Sequence, residues 1–431
     1  MSTAWIRPTL RDLKFSPTLL INEEVAQYRQ RGDTVYHMGF GESPFPVHPA
    51  IQEGLSDFSG RNRYLPAAGL AELRLAAGEH IRRKHGIDSG DFDVMIGPGS
   101  KELIFDVQLA VDGDLLFPAP SWVSYIPQTL ITRDRVVRIQ LGPEQRYKLD
   151  ADRLGHRIQE ARGAGYRPTK LILNYPNNPT GMTYSADELA ALAEVCRREQ
   201  ILVISDEIYA QVSFGTGHRS IADYYPEGTI VTSGLSKHLS LGGFRLGVAL
   251  VPRSLDGVFR VLRSIASETF SSVSTPIQYT VLRAFQDDPD IDSYIGECTR
   301  IHAMVTRYVW RTLDTLGVSY GEPEGGFYLY PDFSEYRSYL EKGCGVESSD
   351  ELAHHLLHSM SVATLPGSAF GDDPEALRLR LSTVDFDGVG ALAAYRSAGP
   401  DIDEPAFVET SCPRVAEGCR RLEAYFHGGD A

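Results

Sequence analysis

The middle of the chain alternates short, continuously apolar runs with helical patterns. FDVMI (92–96) leads into GPGS and then the helix-like KELIFDVQLAV. DLLF (114–117) ends at PAPSW, KLILN (170–174) at YPNNPTG, ILVIS (201–205) at DEIY, and TIVTS (229–233) at GLSK. Apolar runs this short, separated by helices, predict a parallel sheet covered on both faces. Between KLILN and ILVIS, Ser185 with Glu188 three residues on predicts a capped helix start, and Leu189, Leu192, Ala193 and Cys196 fall on one face. A longer stripe (Ile295, Cys298, Ile301, Val305, Tyr308, Leu313, Leu316) predicts a helix from about 293 to 316, stopped by Gly317. Such a helix can bridge a large domain to a smaller one. GGFYLYPDF, a helix near 350–360, PGSAFG and LRLRLST then suit a smaller α/β domain. Residues 385–412 have little periodicity and read as an insertion, expected to decorate the surface rather than cover a site. A last helix is expected from Pro413 to Phe426.

Several of the strand-like runs end in a polar cluster. In open α/β sheets, ligands sit at the carboxyl ends of strands, so the pattern marks a site before any chemistry is considered. Composition narrows the chemistry. The chain has 431 residues, 42 Lys plus Arg and 57 Asp plus Glu, a formal charge of −15. That balance argues against a nucleic-acid surface or an anionic membrane. No run approaches the roughly 20 apolar residues of a membrane helix, and MSTAWIRPTLRDLKF has no apolar core of a secretory signal, so a cytoplasmic location is expected. The cysteines (196, 298, 344, 412, 419) are odd in number and widely spaced, as expected of reduced thiols. His354, His355 and His358 lack a third ligand at matching spacing, so they are expected on a solvated helix face and no metal site is expected.

Four clusters carry the chemistry: GPGSK (97–101), NYPNNPTG (174–181), SDEIY (205–209) and GLSKHLSLGGFRLG (234–247). A glycine-rich turn before a helix offers free N–H groups to a phosphate, though a plain tight turn looks the same. Asp206 ends an apolar run, where an unpaired carboxylate is costly, so it needs a cationic partner. Lys237 alone would pass for a solvated surface lysine. Arg245 could grip a phosphate with its fork. Together they ask for a phosphate, a ring cation facing a carboxylate, and an amine nucleophile, a demand that pyridoxal phosphate meets.

NNPTG, SDEIY and SKxxxxxGFRxG, in this order and spacing, resemble the class I/II aminotransferases of the fold-type I pyridoxal-phosphate enzymes, over about residues 35–385. The resemblance implies a large domain with a mostly parallel seven-stranded sheet between helices, a smaller α/β domain, and a homodimer with the active site at the subunit interface. The expected organisation is an N-terminal segment (1–48) packing with the small domain, a large cofactor-binding domain (49–310) and a small domain (311–431).

The resemblance also implies roles. Lys237 matches the lysine of the internal aldimine, both nucleophile and proton carrier. Asp206 matches the carboxylate that keeps the pyridine nitrogen protonated. Asn178 and Tyr209 match the partners of the phenolic oxygen, and Trp122 the aromatic stacked on the ring, although a plain core Trp is the bland alternative. Arg245, Ser100 and the Lys101 N–H match the phosphate cradle. Tyr64 matches a tyrosine that reaches the neighbouring subunit's phosphate. Arg380 matches the clamp on the substrate α-carboxylate, with Gly41 bordering it, while Arg378 is expected to face away. Many relatives carry Ser or Thr where this chain has Gly234, so either that phosphate hydrogen bond is expected to be lost or Ser233 or Ser236 is expected to supply it.

An aminotransferase is therefore expected, moving an amino group from an L-amino acid to a 2-oxo acid. A lyase or replacement enzyme acting on the same carbanion, as in the aminocyclopropane-carboxylate synthases that use S-adenosylmethionine, shares every motif. A non-enzymatic regulator is disfavoured, since about 30 residues precede the matching region, too few for a DNA-binding domain. A dicarboxylic substrate would need a second cation; Arg61, Arg63 and Lys101 are the candidates near the motifs.

Overall fold

The computed structural model describes residues 5–427 apart from 8, 9, 12, 14, 216 and 400. Twelve strands are numbered in chain order. The main sheet contains β2 (Phe92–Gly97), β3 (Asp114–Ala119), β4 (Val136–Gln140), β5 (Pro168–Asn174), β6 (Leu202–Asp206), β7 (Thr229–Gly234) and β8 (Gly247–Pro252), in the order β2-β8-β7-β6-β5-β3-β4. Only β8 runs against the rest, antiparallel to both β2 and β7. The other strands therefore deliver their carboxyl ends to one edge.

Alternation along each strand fills two cores. On β5, Leu171 and Leu173 join the helices Ala151–Gly163 and Ala186–Glu199, while Ile172 faces the helices Ser100–Ala110 and Asp256–Glu268. A sheet coated on both faces explains why its strands read as unbroken apolar runs. The helix Ala186–Glu199 begins with the expected box: Ser185 Oγ accepts from the Glu188 N–H, and the Glu188 carboxylate accepts from the Ser185 N–H. Two strands of the main sheet escaped notice in the sequence. β4 is an edge strand interrupted by Arg138 and Gln140, and β8 follows the Arg245 loop with no helix between them.

The bridging helix spans Pro289–Thr315, capped by Asp288. Beyond it, β9 (Tyr328–Leu329), β11 (Leu365–Pro366) and β12 (Leu379–Ser382) form a small antiparallel sheet in the order β11-β12-β9. β1 (Tyr36–His37) pairs parallel with β10 (Val362–Ala363). The N-terminal helix Pro17–Gln30 packs nearby, with Val25 against Leu357 and Ala363 of this same region.

Residues 385–412, expected as an aperiodic insertion, fold into two short helices, Gly388–Ala398 and Glu404–Ser411, with Asp387 and Asp403 as N-caps. Their small residues leave a weak stripe, but Ala391, Leu392, Phe407 and Val408 join the same core as the bridging helix. The last helix runs Pro413–His427. The three histidines lie on the helix Ser349–Met360. There His355 and His358 hydrogen-bond to Tyr425 and Tyr28 rather than facing solvent alone. All five cysteines are free thiols. Among the described residues no helix is long and apolar enough to cross a membrane.

Candidate active site

One cavity of about 340 Å³ opens at the carboxyl edge of the main sheet. Gly41, Ser100, Lys101, Trp122, Asn178, Asp206, Tyr209, Ser236, Lys237, Arg245 and Arg380 all line it. Tyr64 does not: it is 90% exposed in the single chain. Of the other candidate cations, Arg61 lies 4.7 Å over the Tyr279 ring, and neither Arg61 nor Arg63 reaches the cavity.

At one end, the helix Ser100–Ala110 starts after Gly99 (φ +95°) with no side-chain cap, so its first amides are free for a ligand. A Cβ on Gly99 would collide with Arg245 Nη2, and one on Gly247 would collide with the Ser100 backbone nitrogen. Glycine at both positions lets the guanidinium and β8 close on this turn. Arg245 donates to the carbonyls of Gly242 (2.8 Å) and Pro98 (3.2 Å). A Cβ at Gly234 would lie 2.8 Å from the Leu246 carbonyl oxygen, so this backbone excludes the Ser or Thr of many relatives. Of the two substitutes, Ser236 lines the cavity and Ser233 does not.

At the centre, β6 ends in Asp206, fully buried. Its carboxylate accepts from Tyr125 Oη at 2.6 Å and from the Ile208 N–H at 3.3 Å. Burial pushes its pKa up to about 6 although the Tyr125 bond pulls it down. Lys237 Nζ donates to the Gly41 carbonyl at 2.9 Å and sits 5.5 Å from the Tyr209 ring centre. Tyr209 Oη and Tyr328 Oη are 2.9 Å apart, and Tyr328 also donates to the Gly41 carbonyl.

At the far side, Arg380 of β12 is 1% exposed. It lies between the rings of Tyr328 (4.5 Å) and Phe370 (5.1 Å) and donates to Asn178 Oδ1 (3.2 Å) and the Gly39 carbonyl (2.6 Å). Its Nε has no partner, and burial pulls its pKa down. Arg378 does leave the cavity, pairing with Asp332 (2.8 Å) and Asp372 (3.2 Å), but strand alternation is not the reason. Residues two apart share a strand face. The separation arises because Arg378 precedes the regular strand and joins it only by a single bridge to Asp332.

Among the described residues, none of Lys101, Lys237, Arg245 and Arg380 forms an ion pair, and no cation pairs with Asp206. Of these, Arg380 and Asp206 are buried and Lys237 half-buried, and buried charges without counter-ions call for a ligand that carries the opposite charges. Pyridoxal phosphate fits this chain on that ground: the free helix amides and Arg245 would hold its phosphate, and Asp206 would hold its ring nitrogen. Sequence reasoning missed Tyr125, Tyr328, Asn174 and Thr18. Asn174 orders the turn by donating to the Asp206 carbonyl and accepting from the Asn178 N–H. Thr18 lines the cavity with a buried hydroxyl that has no partner. The signal for Asn174 was its place in NYPNNPTG; the two tyrosines hid in apolar runs.

The family model for aminotransferase class I and II matches residues 34–394. The chain is 31% identical over 377 residues to an aspartate aminotransferase of Bacillus subtilis, covering 85% of this chain and 92% of that protein. It is 30% identical over 393 residues to an aspartate/prephenate aminotransferase of Cereibacter sphaeroides, covering 89% and 95%. Its fold superposes on Thermus thermophilus aspartate aminotransferase with maleate at a TM-score of 0.81, with 24% identity and coverage of 97% and 98%. The chain belongs to the class I and II aminotransferases and is a pyridoxal-phosphate-dependent enzyme that acts on amino and 2-oxo acids.

Proposed function

We propose that this enzyme transaminates a dicarboxylic amino acid such as aspartate, with Lys237 as the residue that holds the cofactor and moves the proton. The observation that carries the reading is the buried, anion-free Arg380 across one cavity from the unpaired Lys237 and Asp206. Arg245, Ser100, Ser236 and the Lys101 amide would hold the phosphate. Asp206 would hold the ring nitrogen, Asn178 and Tyr209 the phenolic oxygen, and Trp122 the ring face. When bound, pyridoxal phosphate supplies an electron sink for the carbanion left at the substrate Cα.

The chain's own residues do the rest. Arg380 grips the α-carboxylate by its fork beside Gly41, which fixes the angle of the Cα–H bond. Lys237 Nζ takes that proton from the Cα of the amino acid in one half-reaction and delivers one to the Cα derived from the 2-oxo acid in the other. Gly41 must lack a side chain, since a Cβ there would collide with Tyr328 Oη. Lys101 is the second cation. It lines the cavity 5.0 Å over the Trp122 ring, burial pulls its pKa down, and Thr18 adds a free hydroxyl. A substrate side-chain carboxylate would satisfy both, and aspartate is the substrate named in several relatives.

The same reading divides the chain at 48 and 310, with residues 1–48 packing on the small domain, and places the enzyme in the cytoplasm. It makes the enzyme a homodimer. Tyr64 and Trp5 are 90% and 95% exposed in one chain, and a second subunit would cover them and bring Tyr64 to the neighbouring phosphate.

The test is a panel of amino acids, with S-adenosylmethionine included, followed by the absorbance of the bound cofactor in the half-reaction. Aspartate and glutamate should convert the cofactor to its aminated form. Lys101→Ala should raise KM for them about tenfold and leave alanine unchanged. Conversion by neutral amino acids alone would overturn the dicarboxylic reading.

A further inference from the structure

Beneath the cavity lies a second polar layer that the reaction does not touch. Each central site residue has a neighbour that turns the other way into it. Glu207 follows Asp206, Gln211 lies two beyond Tyr209, and His238 follows Lys237. The layer is completed by His80 and His85, on and just after the helix Ala71–Lys84, and by His218. His80 and His85 are fully buried and His238 nearly so.

Two clusters make up the layer. In one, Glu207 accepts from His85 Nδ1 (2.6 Å), His218 Nε2 (3.0 Å), Ser205 (2.6 Å) and Ser220 (2.5 Å). His85, Glu207 and His218 have the composition of a metal site, but both carboxylate oxygens already accept hydrogen bonds; the ring nitrogens His85 Nε2 and His218 Nδ1, on the far sides of the rings, have no partner.

The second cluster is different in kind, because it joins two separate segments of the active site. Gln211 Nε2 lies 3.3 Å from His80 Nε2 and 3.3 Å from His238 Nε2. The far nitrogen of His80, Nδ1, faces the Asp287 carboxylate at 3.2 Å. A carboxylate only accepts, so that nitrogen carries the proton and Nε2 of the neutral ring is an acceptor. A side-chain amide has two N–H groups, one for each ring. Gln211 is further tied to the bridging helix, where Thr299 Oγ1 donates to its backbone carbonyl at 3.0 Å.

We propose that Gln211 is a positioning residue of the transamination site, locking the turn that carries Tyr209 to the loop that carries Lys237 by donating its two amide hydrogens to His80 and His238. This rests on the reading of Lys237 and Tyr209 given above. Asp206 does not need such a lock. Its strand is paired on both sides, and the following Glu207 N–H donates to the Thr232 carbonyl. Tyr209 and Lys237 lie outside the sheet ladder, on a short turn and a loop, where nothing in the sheet fixes their separation.

The experiment uses the holoenzyme with aspartate and 2-oxoglutarate, comparing Gln211→Met, Gln211→Glu and Lys237→Ala. Met keeps the length of the side chain and loses both donors. It should lower kcat about tenfold with KM within twofold, because the Arg380 clamp is untouched. Glu turns the donor into an acceptor. His80 already gives its Nδ1 proton to Asp287, so it can serve a carboxylate at position 211 only as an imidazolium. Asp287 and Asp292 face His80 and favour that charge, while Lys84 opposes it; His238 faces His80, His85 and Lys84. Gln211→Glu should therefore have a kcat that rises as pH falls from 8 to 6, a dependence absent from the parent. A merely structural role would lower the melting temperature of both variants and leave kcat per folded molecule and its pH profile unchanged, and that result overturns the proposal. Parent-like kcat in Gln211→Met beside an inactive Lys237→Ala sinks the positioning role alone. An active Lys237→Ala sinks both the site reading and this proposal.

Discussion

Asp206 and Glu207 are adjacent carboxylates, both fully buried, and the fold treats them in opposite ways. Asp206 faces the cavity with one tyrosine and one amide as partners, and burial pushes it up to about 6. Glu207 faces the layer beneath, where burial would push it up but the His218 and His85 imidazoles outweigh that and hold it well below the usual carboxylate range. Arg380 and Arg378 repeat the contrast two residues apart, one buried with no anion and one between Asp332 and Asp372. In each of these two pairs the residue turned into the scaffold is satisfied and the one turned into the cavity is left for the ligand; Asp106, buried under the sheet with neither oxygen bonded, is a scaffold carboxylate outside that rule. Unsatisfied buried groups are costly, so they persist where a ligand meets them.

The largest expected effect breaks the Asp206 side of that contrast. Asp206→Asn keeps the shape and removes the charge that stabilises a protonated ring nitrogen. Turnover should fall on the order of 10³-fold, about 4 kcal/mol, typical of a lost preorganised electrostatic contact. Stability should move the other way. In the cofactor-free protein the raised pKa means that the folded state favours the protonated acid. That contribution is present below the usual value near 4 and is lost as pH rises through about 6. Above that window Asp206→Asn should be more stable than the parent by about 2 to 3 kcal/mol, because each tenfold change in proton affinity is worth ~1.4 kcal/mol. Denaturant titration of both cofactor-free proteins at pH 5 and pH 8 checks this. Equal stabilities at pH 8 would count against the unsatisfied-carboxylate picture.

Glu207→Gln should do the reverse, lowering stability by about 3 kcal/mol because buried donors lose an acceptor, with turnover per folded molecule little changed. The sign also inverts. A depressed carboxylate contributes stability above its unfolded pKa, near 4.5, and loses it as pH falls through the folded value. The gap between parent and variant should therefore be full at pH 7 and narrow below pH 4.5. A variant as stable as the parent at pH 7 would show that the Glu207 carboxylate is not the acceptor that holds these donors.

These two residues also mark what the sequence could and could not show. SDEIY at the end of an apolar run located Asp206, because strand ends are legible locally. Glu207's partners are not, since His85 lies 122 residues away and only folding brings it within hydrogen-bond reach. Tyr125 and Tyr328 sit in apolar stretches and look like core residues until their hydroxyls are placed. Strand β8 and edge strand β4 lacked the strand-then-helix pattern that revealed the others. The helices at 388–398 and 404–411 were hidden by small residues, although Asp387 and Asp403 were their start signals. Tyr64 lies exposed and outside the cavity of the single chain, and the role proposed for it needs a second chain.

The smallest expected effect compares the two arginines directly. Arg380→Lys keeps the charge and loses the plane of the fork, so a substrate carboxylate keeps one hydrogen bond where it had two. The geometry around Arg380 makes that loss specific: the guanidinium is stacked between Tyr328 and Phe370, bonded to Asn178 and the Gly39 carbonyl, and lines the cavity with N–H groups still unbonded. A lysine ammonium there cannot serve Asn178, Gly39 and a substrate carboxylate with the same plane. We expect kcat/KM to fall on the order of a hundredfold, about 2.7 kcal/mol, with KM raised and the proton-transfer step slowed because the Cα–H angle is no longer fixed. Arg378→Lys should leave kcat/KM within about threefold and instead lower the melting temperature, since its two carboxylates belong to the scaffold. The measurement is a titration of each variant with aspartate, followed through the cofactor absorbance, beside a thermal melt. If Arg380→Lys bound aspartate as the parent does and merely melted earlier, Arg380 would be a scaffold arginine like Arg378, and the division between a satisfied scaffold and an unsatisfied cavity would fail where it is most exposed to test.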